Sequence, residues 1–308
     1  MSKWIPERPP YKKERRTVGF MALAAFLLLF FYRLFADRLP FASVTWLNAP
    51  VVACVAFLLP ALAYVCFRGN GYTAALRLHF PRGRCTPLMI AAFFALFSGC
   101  LLLSLLTGGM ETLGNSVLSF DTSQPEGAFE AFLLLIGGAI LPALLEEFFF
   151  RGIIAVEYER RGAFRAVLMS ALLFALLHFD ISNLLSYLYA GVLLCLVLYA
   201  TNSLWATVIL HVLYNVLSLV AQRYLNALYE YTGTVQLFLF IFVVMLLASL
   251  LFFCRACARI YRMRDEQGIQ DPRRAVPYNV QFHTVLDALS DPAIILCFAL
   301  SIAGFVML

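Results

Sequence analysis

Three short stretches of this chain carry groups that can move protons and hold negative charge. Glu146 and Glu147 are adjacent in LLEEFFFRGII, and Arg151 follows. Phe174 and His178 lie in FALLHFD, and His211 and Asn215 lie in LHVLYNVLS. Glu147 and Arg151 are spaced i,i+4, so on a helix they share a face and can pair. The helical period turns Glu146 about 100° away from Glu147. One carboxylate can therefore be neutralised by the arginine while the other faces elsewhere. Phe174 with His178, and His211 with Asn215, share faces by the same spacing. An amide both donates and accepts, so beside an imidazole it can hold a developing oxyanion.

Each stretch also has a plainer reading. The glutamates and Arg151 could be the charged end of a membrane span. A membrane histidine is often a hydrogen bonder between helices, and His211 with Asn215 could be polar glue of that kind. Against this, ionisable residues inside apolar segments are costly and are functional candidates by default.

These groups need a scaffold, and composition says which kind. The 308 residues are 62% hydrophobic and 13% charged, with a mean hydropathy of +0.84. Soluble domains are about 45–50% apolar and about 25% charged, so a water-soluble globular protein is excluded. The net charge of +5 has no accessible polar body to spread over, which excludes a disordered or nucleic-acid-binding chain. Apolar runs fall at 17–36, 48–67, 86–107, 129–152, 166–179, 184–200, 203–221, 234–254 and 292–308. They are continuous and rich in Leu, Phe and Ala rather than alternating, so helices and not a barrel are expected. The predicted fold is an all-α polytopic transmembrane bundle of about eight or nine helices.

Twenty of the 23 Lys and Arg residues fall in the N-terminal tail and in the loops after the second, fourth and eighth runs, leaving Arg33, Arg38 and Arg223. The positive-inside rule then places the N-terminus in the cytosol and the C-terminus on the opposite side. The first run reads as a retained anchor, not a cleaved signal. Residues 1–128 are an N-terminal part, 129–222 a core holding the three stretches, and 223–308 a C-terminal part. The segment 108–128 is the main outer loop and 255–291 the main inner one. LRLHFPRGR at 76–84 is basic and partly apolar, and is expected to lie along the inner surface. Pro142 removes a backbone N–H four residues before Glu146, which predicts a kink. Gly137, Gly138 and Ala139 permit close helix approach. The eight cysteines show no disulfide framework. Cys254 and Cys257 have CxxC spacing without a second pair, so buried thiols are the better account.

Depth is compatible with one site. With inner edges near Glu157, Arg165 and Ser203, the rise per residue puts Glu146 roughly 16 Å, His178 roughly 20 Å, His211 roughly 12 Å and Asn215 roughly 18 Å into the membrane. The core is about 30 Å thick, so all four can meet near its middle.

The three stretches resemble, in order and spacing, the motifs of the CAAX prenyl protease and bacteriocin-processing family of intramembrane endopeptidases. The resemblance covers the runs from about 129 to 222. It implies a membrane-buried, cytosol-facing cavity that cleaves peptide bonds, with a peptide or lipidated protein as substrate and membrane lipid as surroundings. By motif position, Glu146 is implied as the general base that activates water, and His178 as the group that holds and polarises that water. His211 and Asn215 are implied to hold the oxyanion, with Glu147, Arg151 and Phe174 as supports. Peptide hydrolysis needs just such a base, water and oxyanion site. A serine or cysteine nucleophile fits less well, because none shares a motif face with either histidine. Two histidines, a glutamate and a water could also make a zinc set of Glu146, His178 and His211. Asn215 is a poor zinc ligand and a good oxyanion donor, which favours a mechanism with no obligatory metal. Two other classes stay open: a catalytically silent membrane adaptor or immunity protein of the same family, and a proton-coupled transporter. Transporters usually show internal repeats, and none is evident.

Overall fold

In lipid each backbone N–H must be satisfied within its own segment, and the Leu-, Phe- and Ala-rich runs accordingly form helices. The computed structural model describes residues 17–39, 44–68, 76–108, 127–268 and 278–307. These are helical with short connections, and no strand occurs among them. The basic N-terminal tail, residues 109–126 of the expected outer loop at 108–128 and residues 269–277 of the expected inner loop lie outside the described residues.

The helices are α1 (Thr17–Phe35), α2 (Leu47–Phe67), α3 (Thr86–Gly108), α4 (Ala128–Arg161), α5 (Ala163–Leu177), α6 (Leu184–Thr201), α7 (Leu204–Thr232), α8 (Val235–Glu266), α9 (Tyr278–Leu289) and α10 (Pro292–Met307). Seven of them are long and apolar enough to cross a membrane, α9 and α10 would add an eighth as one span bent by 68°, and α5 is a shorter apolar helix. The bundle is thus the polytopic all-α one expected.

The main difference from expectation is α4. The apolar run ends at Gly152, yet the helix continues to Arg161. Arg151 and Arg165, read from sequence as loop charges, are instead inside helices and fully or almost fully buried. Glu157 and Glu159 are buried as well. The connection between α4 and α5 is the single residue Gly162, which adopts φ +122°. Only glycine takes that conformation readily.

Helix α4 is not uniform. Two wide, π-helical stretches, Leu135–Ile140 and Phe148–Ile154, flank an ordinary α segment, Leu141–Glu147. The helix therefore runs on past Pro142 through a wide turn, where the proline alone suggests a kink. In such a turn the N–H five residues on serves each carbonyl, so the carbonyl that Pro142 cannot serve has an alternative donor. Both stretches also offer a carbonyl to a neighbour. Ser170 Oγ on α5 donates to Phe150 O at 3.0 Å, and Asn215 Nδ2 on α7 donates to Ala139 O at 3.3 Å.

Packing around α4 relies on small residues and specific polar contacts. Helices α5 and α6 form a hairpin that closes at Gly191, where a Cβ would come within 2.7 Å of Ala171 Cα. Helix α6 rests on α3, with the Tyr189 hydroxyl donating to Ala95 O at 2.9 Å and Gly99 leaving room for the Tyr189 ring. Helix α8 lies along α3, and α1 lies against α10. The 76–84 stretch is tied to the ends of α4 and α7. Arg77 donates to both Glu159 oxygens at 2.6 Å, Arg77 O accepts from Leu204 N at 3.1 Å, and Phe80 stacks on Trp205 at 5.4 Å. Leu78 and Phe80 face outward. All eight cysteines are free thiols.

Candidate functional site

Helices α4, α5 and α7 bring the three sequence stretches to one place. Glu147 and Arg151 are both fully buried, and Arg151 Nη1 donates to Glu147 Oε1 at 2.8 Å. This is the i,i+4 pair expected from spacing. A second contact could not be read from spacing. His211 Nδ1 lies 2.8 Å from the same Glu147 oxygen, so Glu147 joins α4 to α7. A carboxylate acceptor makes Nδ1 the protonated nitrogen, and Nε2 is left facing away from Glu147. That nitrogen is 3.9 Å from Oε2 of Glu146. Glu146 is the less enclosed of the two acids, with its side chain 15% exposed and that of Glu147 at 0%.

The two adjacent acids thus have distinct environments. Glu147 is spent on an arginine and a histidine. Glu146 is separated from His211 by a gap slightly longer than a hydrogen bond, about the span that one bridging water can close.

Phe174 links this cluster to α5 and α6. The Arg151 guanidinium lies over its ring at 4.5 Å, a cation–π contact strengthened by burial. His211 meets the same ring edge-on at 5.9 Å, and His178 does so at 4.8 Å. A second guanidinium nitrogen, Nη2, donates to Gly191 O at 3.3 Å, while the buried Nε makes no hydrogen bond among the described residues. A buried arginine needs such partners, because an unpaired buried charge is costly.

His178 is oriented but stands apart. Its Nδ1 donates to Phe174 O at 2.7 Å, which leaves Nε2 as the acceptor. Its ring stacks on Tyr187 at 3.9 Å. Asn215 lies one turn beyond His211 and is held to the wide turn of α4 through Ala139 O. One amide hydrogen makes that bond, and the second remains to donate. The structure therefore gathers Glu146, Glu147, Arg151 and His211 directly. It attaches Asn215 to the same helix pair, and it connects His178 through the Phe174 ring.

The zinc set can be tested on these positions. Glu146 and His211 stand at a separation two ligands of one ion could have. No group of three His, Cys, Asp or Glu residues gathers for a metal among the described residues. Glu146, His178 and His211 thus do not form a ready three-ligand site.

Sequence reasoning missed Tyr187, Gly191 and Ser170. Tyr187 and Gly191 share a face of α6 by their i,i+4 spacing, but α6 has no Asp, Glu, His, Lys or Arg to draw attention. Ser170 matters only because the turn at Phe150 is wide.

Comparison with known proteins gives two matches. Residues 128–217 match the family model described as type II CAAX prenyl endopeptidase Rce1-like. The chain is also 31% identical over 91 residues to a protein of Bacillus subtilis (strain 168) named putative membrane peptidase YdiL. That match covers 29% of this chain and 37% of the relative, so the chain aligns with less than half of the relative's length. No solved structure matches the chain. Together with the apolar helices, these similarities identify an integral, multi-pass membrane protein.

Proposed function

From a membrane core that is similar in sequence to the type II CAAX prenyl endopeptidases, we propose that this chain is an intramembrane endopeptidase in which Glu146 activates water. The observation that carries the reading is the gap between Glu146 and His211 Nε2, with the other ring nitrogen of His211 held by Glu147. A water in that gap is polarised by two groups at once. Glu146 takes one of its protons, and the oxygen attacks the scissile carbonyl carbon. The carbonyl pair moves onto oxygen to give a tetrahedral oxyanion. The free Nδ2 hydrogen of Asn215 donates to that oxyanion, and so does the Nε2–H of His211, which enters the cycle doubly protonated and donates first to the attacking water. Glu147 supports the imidazolium, and Arg151 pairs with Glu147 in the buried site. Collapse of the intermediate breaks the C–N bond, and Glu146 returns its proton to the leaving amine. His178, with Nε2 free to accept, orients the water or the substrate amide from the α5 side.

In this reading the substrate is a membrane-associated peptide, with a CAAX-like or lipidated C-terminus as one form of it. In the same reading the cavity opens to the cytosol, the N-terminus lies on that side and the C-terminus on the opposite one, with the basic loops as the support for this orientation. Membrane lipid surrounds the site, and no nucleic acid is involved.

The test is cleavage of a prenyl-peptide and of its unprenylated form by purified full-length protein in detergent. Glu146→Gln should lower kcat by about 10²–10⁴-fold, the contribution of a general base, while the protein elutes and melts as the wild type does. Equal cleavage by wild type and Glu146→Gln would reject the mechanism. The same assay with a chelator, followed by zinc add-back, should show unchanged turnover. Loss on chelation and recovery with zinc would replace the metal-free version by a metal one.

A further inference from the structure

The turn that carries His178 is held from outside the family-like core. Helix α5 ends in a tightened turn, with His178 N donating to Ala175 O and Phe179 N to Leu176 O, both at 3.3 Å. Phe179 then takes φ +50°. A bulky residue in the left-handed region is an outlier that persists only where its surroundings fix it. Phe179 is only 5% exposed, and two helices close on its ring. From α1, Phe26 and Phe30 meet it at 5.9 and 6.0 Å, and the Arg33 guanidinium lies over it at 5.7 Å. Residues 26, 30 and 33 repeat at i, i+4 and i+7, one face of α1. From α10, Ser301 Oγ donates to Leu176 O at 3.2 Å. One turn on, Gly304 leaves the space that the Phe179 ring fills, since a Cβ there would overlap it.

We infer that Phe179 is a positioning residue, and that α1 and α10 clamp it so that the adjacent His178 points its free Nε2 into the site. The other fixed contacts of His178 are its Nδ1 bond to Phe174 O, its edge-on contact with the Phe174 ring and its stack on Tyr187. These set the ring's rotation about its own backbone. They do not set where that backbone sits at the end of α5, which depends on the turn at Phe179. The flanking helices, which lie outside residues 128–217, thereby become part of the catalytic device. The inference rests on the peptidase reading for its effect on turnover, but not for its effect on His178 itself.

The experiment uses full-length protein in detergent with 15N-labelled histidine. Phe179→Ala should move the His178 ring-nitrogen resonances toward those of a ring exchanging between tautomers and leave His211 in place. Gly304→Val, which crowds the ring from α10 without touching Phe179, should move the same His178 signals. Phe179→Leu, which keeps an apolar wedge, should restore them. In the cleavage assay Phe179→Ala should lower kcat by about 100-fold, the cost of misplacing a catalytic group by an ångström, and leave KM within about twofold. Placed in a His178→Ala background, the same substitution should have no further effect on kcat, because it acts through that residue. Unchanged His178 resonances in both Phe179→Ala and Gly304→Val would overturn the inference. So would a loss of kcat that persists in full without His178. If the wild-type protein cleaves neither peptide, the peptidase reading fails while the resonance comparison still decides the role of Phe179.

Discussion

Helix α7 is continuous from Leu204 to Thr232, yet its two halves are held differently. The first half buries Leu204, Ala206, Val208 and Leu210 in the main core and adds polar contacts at defined distances, His211 to Glu147 and Asn215 to Ala139 O. The second half has its own apolar cluster, in which Ala221 and Leu225 pack with Leu101 and Leu105 of α3 and Phe238 and Phe242 of α8. There the rings of Tyr229, Phe238 and Phe242 stack edge-on or tilted at 5.0–5.7 Å. In lipid, apolar contacts gain little from the solvent, and helix association depends on van der Waals fit and hydrogen bonds. Apolar packing can therefore hold one half of a helix without specifying any chemistry. The other half accepts the cost of buried charge, and what it obtains is a fixed direction for each polar atom.

Breaking the polar half should have the largest effect. Glu147→Ala leaves Arg151 buried without its carboxylate, at a cost of about 3–5 kcal/mol. It also releases His211, so both the unfolding midpoint in detergent and the cleavage rate should fall. A Glu147→Ala protein as stable as wild type would show that charge pairing does not hold the two helices. Asn215→Ala should separate the two roles. In the proposed mechanism it removes one oxyanion donor, worth about 10²–10³ in kcat, and only a single bond to a carbonyl of α4. Steady-state kinetics alongside a melting curve would show the split, and an unchanged kcat would take Asn215 out of the mechanism. Phe238→Leu in the apolar half should do least. A smaller apolar residue at that buried position costs about 1 kcal/mol, visible in the melt, with kcat as in the wild type. A slowed kcat there would mean that the two halves are coupled.

Much of this arrangement could be read in the letters. The apolar runs locate the helices, because in a bilayer a continuous apolar stretch has few other options. The Glu147–Arg151 pair follows from one-face spacing. What escaped reading is what depends on a second helix. Hydropathy treats Arg151, Glu157, Glu159 and Arg165 as marks of water, so α4 was expected to end at Gly152. They are buried with partners such as Glu147 and Arg77, the latter 82 positions from Glu159. The bond from His211 to Glu147 spans 64 positions, and no periodicity predicts it. The stack of His178 on Tyr187 depends on how tightly the α5–α6 turn closes, and that turn depends on Phe179 and on helices at both ends of the chain.

The wide turns of α4 make the site sensitive to counting as well as to composition. Helix α7 grips α4 at two points, Ala139 through Asn215 and Glu147 through His211. The number of residues between those grips fixes which side chain His211 meets. One residue inserted between Ala139 and Glu146 would deliver Glu146 to the place of Glu147, and one removed would deliver Phe148. Two relatives could therefore carry identical motif letters and still present different atoms to the imidazole, if the spacing upstream had drifted by one.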